Sequence, residues 1–133
     1  MKFGLFYELS TPRPFSTENQ RMVIENAIEQ TVLADKLGFS SVWCVEHHFL
    51  EEYSHSSCPD MFLAAIARET KDIRVCFGIG TCVPAMHSPI RWAEKAAYNE
   101  EFCLENHFLH GNVLFQAPTL VKQYINGPIK QLL

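Results

Sequence analysis

Ala34-Asp35-Lys36-Leu37-Gly38-Phe39-Ser40-Ser41-Val42-Trp43-Cys44-Val45-Glu46-His47-His48-Phe49 holds a helix end, a stop, a strand and a polar exit in one run. Gly38 stops the helix, because glycine takes the left-handed backbone after a helix end at no steric cost. Ser41 to Val45 is then a short strand carrying Val42, Trp43 and Val45. β-branched and aromatic side chains of this kind suit a pleated, half-buried surface. Glu46 to Cys58 is a polar loop. A helix that runs straight into a strand is the joint of an α/β protein.

The same unit recurs on both sides. Lys2 to Tyr7 is an apolar, aromatic run that fits a buried first strand, and Pro12 and Pro14 break the chain after it. Thr17-x-x-Gln20 is spaced as a capping box, in which hydroxyl and amide satisfy free backbone N–H groups reciprocally. A long helix then reaches about Leu37, with Ile24, Ala27, Ile28, Thr31 and Ala34 expected to face the sheet at helical spacing. Downstream, Pro59 or Asp60 opens a second helix through Phe62, Ala65 and Ile66 to about Glu69, and Ile73 to Ile79 is a third strand. Gly78, Gly80 and Pro84 mark the loop after it. Ser88-Pro89 predicts a third helix towards Phe102, since Ser caps and Pro fits the first helical position. Strands alternating with helices predict a parallel sheet. Beyond Glu101 the pattern weakens: His107 to Gln116, centred on Gly111-Asn112, reads as a hairpin or as one irregular strand, and Pro118 and Pro128 bracket a short helix near Val121.

Composition narrows the function classes. The 133 residues, 47% apolar and 20% charged, suit one globular domain. A net charge of -4 argues against a chain whose task is to neutralise phosphate backbones. There is no apolar run of the ~20 residues that span a bilayer, and Met1-Lys2-Phe3-Gly4 runs straight into a strand without a signal-peptide layout. The five cysteines form no C-x-x-C pair, and Cys44 and Cys76 lie in strand-like runs where buried, inert thiols are expected. These features lead to the expectation of a cytoplasmic protein with no nucleic-acid and no membrane partner.

In parallel strand–helix proteins the active groups collect at the C-terminal ends of the strands. Three segments stand there: Tyr7-Glu8, Glu46-His47-His48-Phe49 and Gly80-Thr81-Cys82-Val83. Histidine exchanges a proton near neutral pH, and adjacent side chains in extended backbone point to opposite sides. One of His47 and His48 is therefore expected to face a pocket and the other the structure. Two surface or structurally hydrogen-bonded histidines are the competing reading. A metal site built from Glu46, His47, His48, Glu51, Glu52 and His55 is a rival, but the spacing fits no strong metal motif. Gly78-x-Gly80 lacks the third glycine of a dinucleotide fingerprint. It reads either as room for a flat ligand or as strand-end punctuation. One of Phe6 and Tyr7 is placed to line a pocket mouth, and Arg91 is read as solvated or structural.

At these residues the chain resembles the bacterial-luciferase-like flavin-dependent monooxygenases. Met1 to Phe6 resembles the family's first strand, and Ala34 to Phe39 with Val42-Trp43 its first helix end and second strand. Glu46-His47-His48-Phe49 resembles its strand-end motif. Pro59 to Ala67 resembles its second helix, and Gly80-Thr81 with His87 to Glu94 its third strand exit and third helix. The resemblance covers about residues 1–100. It implies a partial (βα)8 TIM barrel, with about three βα units and a divergent tail over 101–133 that completes or replaces the fourth strand. It implies an enzyme in which reduced FMN, or deazaflavin F420 in some branches, reacts with O2 to oxygenate a small organic substrate such as an aldehyde. By the same resemblance His47 is the catalytic histidine, and His48 supports it. Phe6, Gly80, Thr81, Cys82 and Val83 join His48 as cofactor-binding residues, and no metal is implied.

A full barrel needs about 250 residues. With 133, the expectation is a truncated form of the enzyme, as a fragment or completed by self-association such as a homodimer. The alternative is a non-catalytic half-barrel, a gene fragment or a partner-binding relic. A metal-dependent hydrolase using Glu46, His47, His48 and Glu51 is the third reading.

Overall fold

The structure is a computed structural model that describes residues 1–51, 53–81, 88, 90, 91 and 94. Its elements alternate in the predicted order: β1 (Gly4–Tyr7), α1 (Thr17–Lys36), β2 (Ser41–Cys44), α2 (Pro59–Glu69) and β3 (Arg74–Phe77). The strands form one parallel sheet in the order β1-β2-β3. Ile90, Arg91 and Glu94 are helical, where the third helix is predicted. The rest of that helix and the tail over 101–133 lie outside the described residues.

The register sorts the side chains into two faces. Leu5, Val42 and Val75 align across the sheet, as do Tyr7, Cys44 and Phe77. These two rows turn to the helices and join Ala27 and Ala34 of α1 and Phe62, Leu63, Ile66 and Ala67 of α2 in one core. Tyr7 meets the Phe62 ring edge-on at 5.6 Å. Leu63 and Ile66 are almost wholly buried, and each stabilises the packed state by about 1.5–3 kcal/mol through lost water contact. The alternate rows, Gly4-Ser41-Arg74 and Phe6-Trp43-Cys76, turn to the opposite face. Phe6 remains 58% exposed there.

The start of α1 corrects two expectations. Ser16, not Thr17, is the N-cap: its Oγ accepts from the Asn19 N–H at 3.1 Å. Asn19 therefore takes the third helical position, and Gln20, one step further on, turns its amide to His55 Nδ1 at 3.2 Å instead of closing a capping box. Ile24 is 40% exposed and does not face the sheet. The inward stripe steps by four and then three residues through Val23, Ala27, Thr31 and Ala34, which leaves Ile24 on its flank. Thr31 is tolerated in the core because its hydroxyl donates to the Ala27 carbonyl at 2.7 Å.

The end of α1 follows the sequence reading. Gly38 has φ +79°, its N–H donates to the Asp35 carbonyl, and the Phe39 N–H reaches back to the Ala34 carbonyl, both at 3.0 Å. This is a Schellman ending. Asp35 does more than its backbone shows. Its carboxylate accepts from the N–H groups of Lys71, Asp72 and Ile73 at 2.8, 3.0 and 2.6 Å. One side chain thus ties the end of α1 to the start of β3.

Candidate active site

Three chain segments leave the sheet at the same end, and their hydrogen bonds bind them together. After β2, the Glu46 N–H donates to the Ile79 carbonyl at 3.0 Å. The Glu46 side chain is buried, 3% exposed. Its Oε2 accepts from the Thr81 N–H at 3.0 Å, and its Oε1 meets His48 Nε2 at 2.9 Å. A buried carboxylate is tolerated when its oxygens are bonded in this way. Glu46 therefore fixes the exit of β3, including Thr81, against the exit of β2, and His48 braces Glu46.

His47 points elsewhere, as alternation along extended chain requires. Its backbone N–H donates to the Ser56 carbonyl at 2.8 Å. Its Nε2 lies 3.5 Å from Glu8 Oε2, at the exit of β1. Both atoms are shielded from solvent and neither makes a hydrogen bond. The other Glu8 oxygen accepts from the Tyr53 hydroxyl at 3.1 Å, and the Tyr53 ring lies 5.5 Å from the His47 ring, tilted by 43°. The bond to Glu8 pushes the Tyr53 phenol above its ordinary value of 10.0. Burial pushes the Cys44 thiol up to about 11, which makes it inert, as its place in a strand suggests.

The loop after β2 is folded back over the exit of β1. Ser54 Oγ donates to the Glu8 carbonyl at 2.6 Å, the His55 N–H donates to the Leu9 carbonyl at 3.3 Å, and Ser10 Oγ donates to the Tyr53 carbonyl. Leu9 and Phe49 hold left-handed backbone with φ of 52° and 60°. Non-glycine residues rarely adopt this conformation, and where they do it is often next to a functional segment.

The sequence-predicted residues separate into groups. Glu46 and His48 form one pair, and His47 with Glu8 another. Among the described residues no three His, Cys, Asp or Glu side chains gather as metal ligands. Glu46, His47 and His48 are divided between two different tasks. Gly78 does give room for a close approach, but to a side chain of this chain: a Cβ there would stand 3.0 Å from Phe6 Cε2. Thr81 is held by Glu46, while Cys82 and Val83 lie outside the described residues. Tyr53 and the contact between Glu8 and His47 escaped the sequence reading. Glu8 stands at a strand exit, which is a usable signal; Tyr53 carries none.

The profile of the luciferase-like monooxygenases matches residues 1–101. The chain belongs to that family. The oxygenase component of the flavin-dependent trigonelline monooxygenase of Acinetobacter baylyi is 30% identical over 100 residues, which is 75% of this chain and 26% of that protein. Among solved structures, monooxygenase RslO1 from Streptomyces bottropensis is 31% identical with a TM-score of 0.65, over 80% of this chain and 31% of that one. The oxygenating constituent of 3,6-diketocamphane monooxygenase from Pseudomonas putida, in complex with FMN, has a TM-score of 0.65 at 21% identity, over 77% of this chain and 27% of that one. This last likeness is one of fold: β1-α1-β2-α2-β3 is part of a TIM barrel of the luciferase-like type. The chain spans about a quarter of the length of the curated relatives it matches, 24% and 26% of two of them. No described helix is long and apolar enough to cross a membrane.

Proposed function

We propose that this chain provides the first strand exits of an FMN-binding monooxygenase site, where reduced flavin and O2 oxygenate a small organic substrate such as an aldehyde, and where His47 handles a proton. Family membership over residues 1–101 supports the reaction class. The observation that carries the role of His47 is its Nε2, shielded from solvent at the exit of β2 and without a hydrogen bond. An imidazole at a strand exit, with one ring nitrogen turned to a carboxylate, can exchange a proton with a bound reactant.

The residues fit a flavin ring. A flat aromatic cofactor needs an apolar wall and backbone with little side-chain bulk. Phe6 stands 58% exposed on the sheet face away from the helices, its ring edge lying over Gly78. Gly80 and Thr81 follow, with the Thr81 peptide fixed by Glu46. Bound flavin supplies the electrons that activate O2, and the protein orients it and keeps water out. In this chain Phe6 would pack on the ring, Glu46 with His48 would hold the Thr81 backbone in place, and the His47 imidazole would give or take the proton.

Titration of the chain with FMN, followed by quenching of flavin fluorescence, tests the binding. His47→Gln is expected to keep that binding and to lower the yield of oxygenated product by about 10²-fold or more, with reduced flavin spent on hydrogen peroxide instead. Equal product from wild type and His47→Gln removes the role of His47. No quenching by FMN in any amount removes the flavin reading.

A further inference from the structure

We infer that Glu8 is a positioning residue for His47, holding the imidazole through a carboxylate–Nε2 contact that Tyr53 keeps in place. This rests on the reading of His47 as the proton-handling group. Glu8 reaches the site from β1, while His47 and Tyr53 come from the segment after β2, so the contact joins two strand exits.

The exit of β1 is already attached to that loop without the Glu8 carboxylate. Ser54 uses the Glu8 backbone carbonyl, His55 the Leu9 carbonyl, and Ser10 the Tyr53 carbonyl. None of these bonds needs an acidic side chain at residue 8. The carboxylate makes two further contacts, and both concern His47. Oε2 faces Nε2 at 3.5 Å. Oε1 accepts from Tyr53, whose ring lies against the His47 ring. Tyr53 is thus attached to the acid and to the base at once.

The separation of 3.5 Å is longer than the roughly 2.7–2.9 Å of a closed charge-assisted bond. Such contacts are often long before a reactant is bound and tighten in the complex. With both facing atoms out of water, the negative oxygen acts on the nearer ring nitrogen with little screening. A carboxylate facing Nε2 favours the proton on that nitrogen and leaves Nδ1 as the acceptor. Which nitrogen carries the proton decides what an imidazole can do, and a neighbouring acid is the usual device that decides it. The consequence here is a His47 ring whose tautomer and orientation are set before flavin arrives.

The test uses the whole chain labelled with ¹⁵N-histidine, with His47→Gln to assign the ring signals. In the wild type, Nε2 of His47 is expected at the shift of a protonated nitrogen and Nδ1 at that of an acceptor. Glu8→Gln keeps an oxygen for the Tyr53 hydroxyl but removes the charge and offers an NH2 group, so both ring nitrogens are expected to move towards a common mean. Tyr53→Phe, at a half-exposed position, is expected to move them in the same direction by less. The backbone amide spectrum should otherwise stay as in wild type. His47 ring shifts that are identical in wild type, Glu8→Gln and Tyr53→Phe overturn the inference. These signals are read without flavin, so a failure of the flavin reading leaves them untouched; a lost tautomer effect, conversely, leaves the His47→Gln product assay standing.

Discussion

The Glu46 carboxylate reaches from the exit of β2 to the backbone N–H of Thr81, 3.0 Å away at the exit of β3. Its second oxygen is held by His48 at 2.9 Å, so the clamp is braced from behind. Removing the acid takes a bond from a half-buried backbone donor and from a histidine together. Glu46→Ala is therefore expected to cost about 1–3 kcal/mol, since two bonds to a charged acceptor are lost. Glu46→Gln keeps the shape and one acceptor and should cost less than half as much. Urea denaturation of the two variants gives both numbers. Equal and small losses would mean that Thr81 is held by other means.

Asp35 bears on the fold and not on the chemistry. It accepts three backbone N–H bonds, from Lys71, Asp72 and Ile73, and Ile73 is fully buried where β3 begins. Asp35→Ala should lower stability by about 2–3 kcal/mol, because bonds to a charged acceptor are each worth more than neutral ones. The urea midpoint should fall with an unchanged slope, the mark of lost stability without a changed unfolded state. A midpoint within error of wild type would show that water replaces the carboxylate at no cost.

The sequence made the order of elements legible because each boundary is a local event. Gly38 stops α1 by its own conformational freedom, and Pro59 starts α2 at a position where no N–H is missed. The two strand-exit histidines were legible for the same reason: alternation in extended chain sends neighbours apart, and His47 and His48 do go to different partners. Partners distant in sequence were not legible. Nothing in the spacing of Asp35 announces Lys71, and nothing in Glu8 announces Tyr53. Those pairs exist only once the sheet has brought the ends of its strands together. The N-cap failed on a finer scale, because Ser16 and Thr17 are both good caps and the choice between them rests on the turn of the chain after Pro14.

Phe49 offers a direct measure of strain at the site. It holds φ +60° with its side chain almost wholly in solvent. A non-glycine residue pays roughly 1–2 kcal/mol for that backbone region, and an exposed ring recovers little of it by burial. Phe49→Gly should raise stability by about 1 kcal/mol, after the larger chain entropy of glycine is set against the strain relieved. The change in urea midpoint checks the sign. A destabilised variant would mean that the ring makes a stabilising contact that outweighs the strain.

Gly78 and Phe6 share one space, and the sharing can be measured. A Cβ at residue 78 would stand 3.0 Å from Phe6 Cε2 and 3.4 Å from Val45 Cγ1 and the Cys44 carbonyl. The Phe6 contact is the tight one. Phe6 is half out in solvent, so its ring can give way, and the fold should survive. Gly78→Ala is thus expected to cost about 1 kcal/mol, at the low end of what overpacking costs. In a Phe6→Ala background the same change should be neutral or slightly stabilising, because the methyl group then enters vacant space. The difference between the two backgrounds is the coupling energy of the pair, which a double-mutant cycle isolates when each single change adds no new contact. An equal cost in both backgrounds would place the conflict at Val45 and the Cys44 backbone, and would free Phe6 from any dependence on Gly78. If the cost does vanish with the ring, the glycine after β3 is there to let Phe6 lie across the sheet, and Gly78→Ala should also weaken FMN binding by displacing that ring.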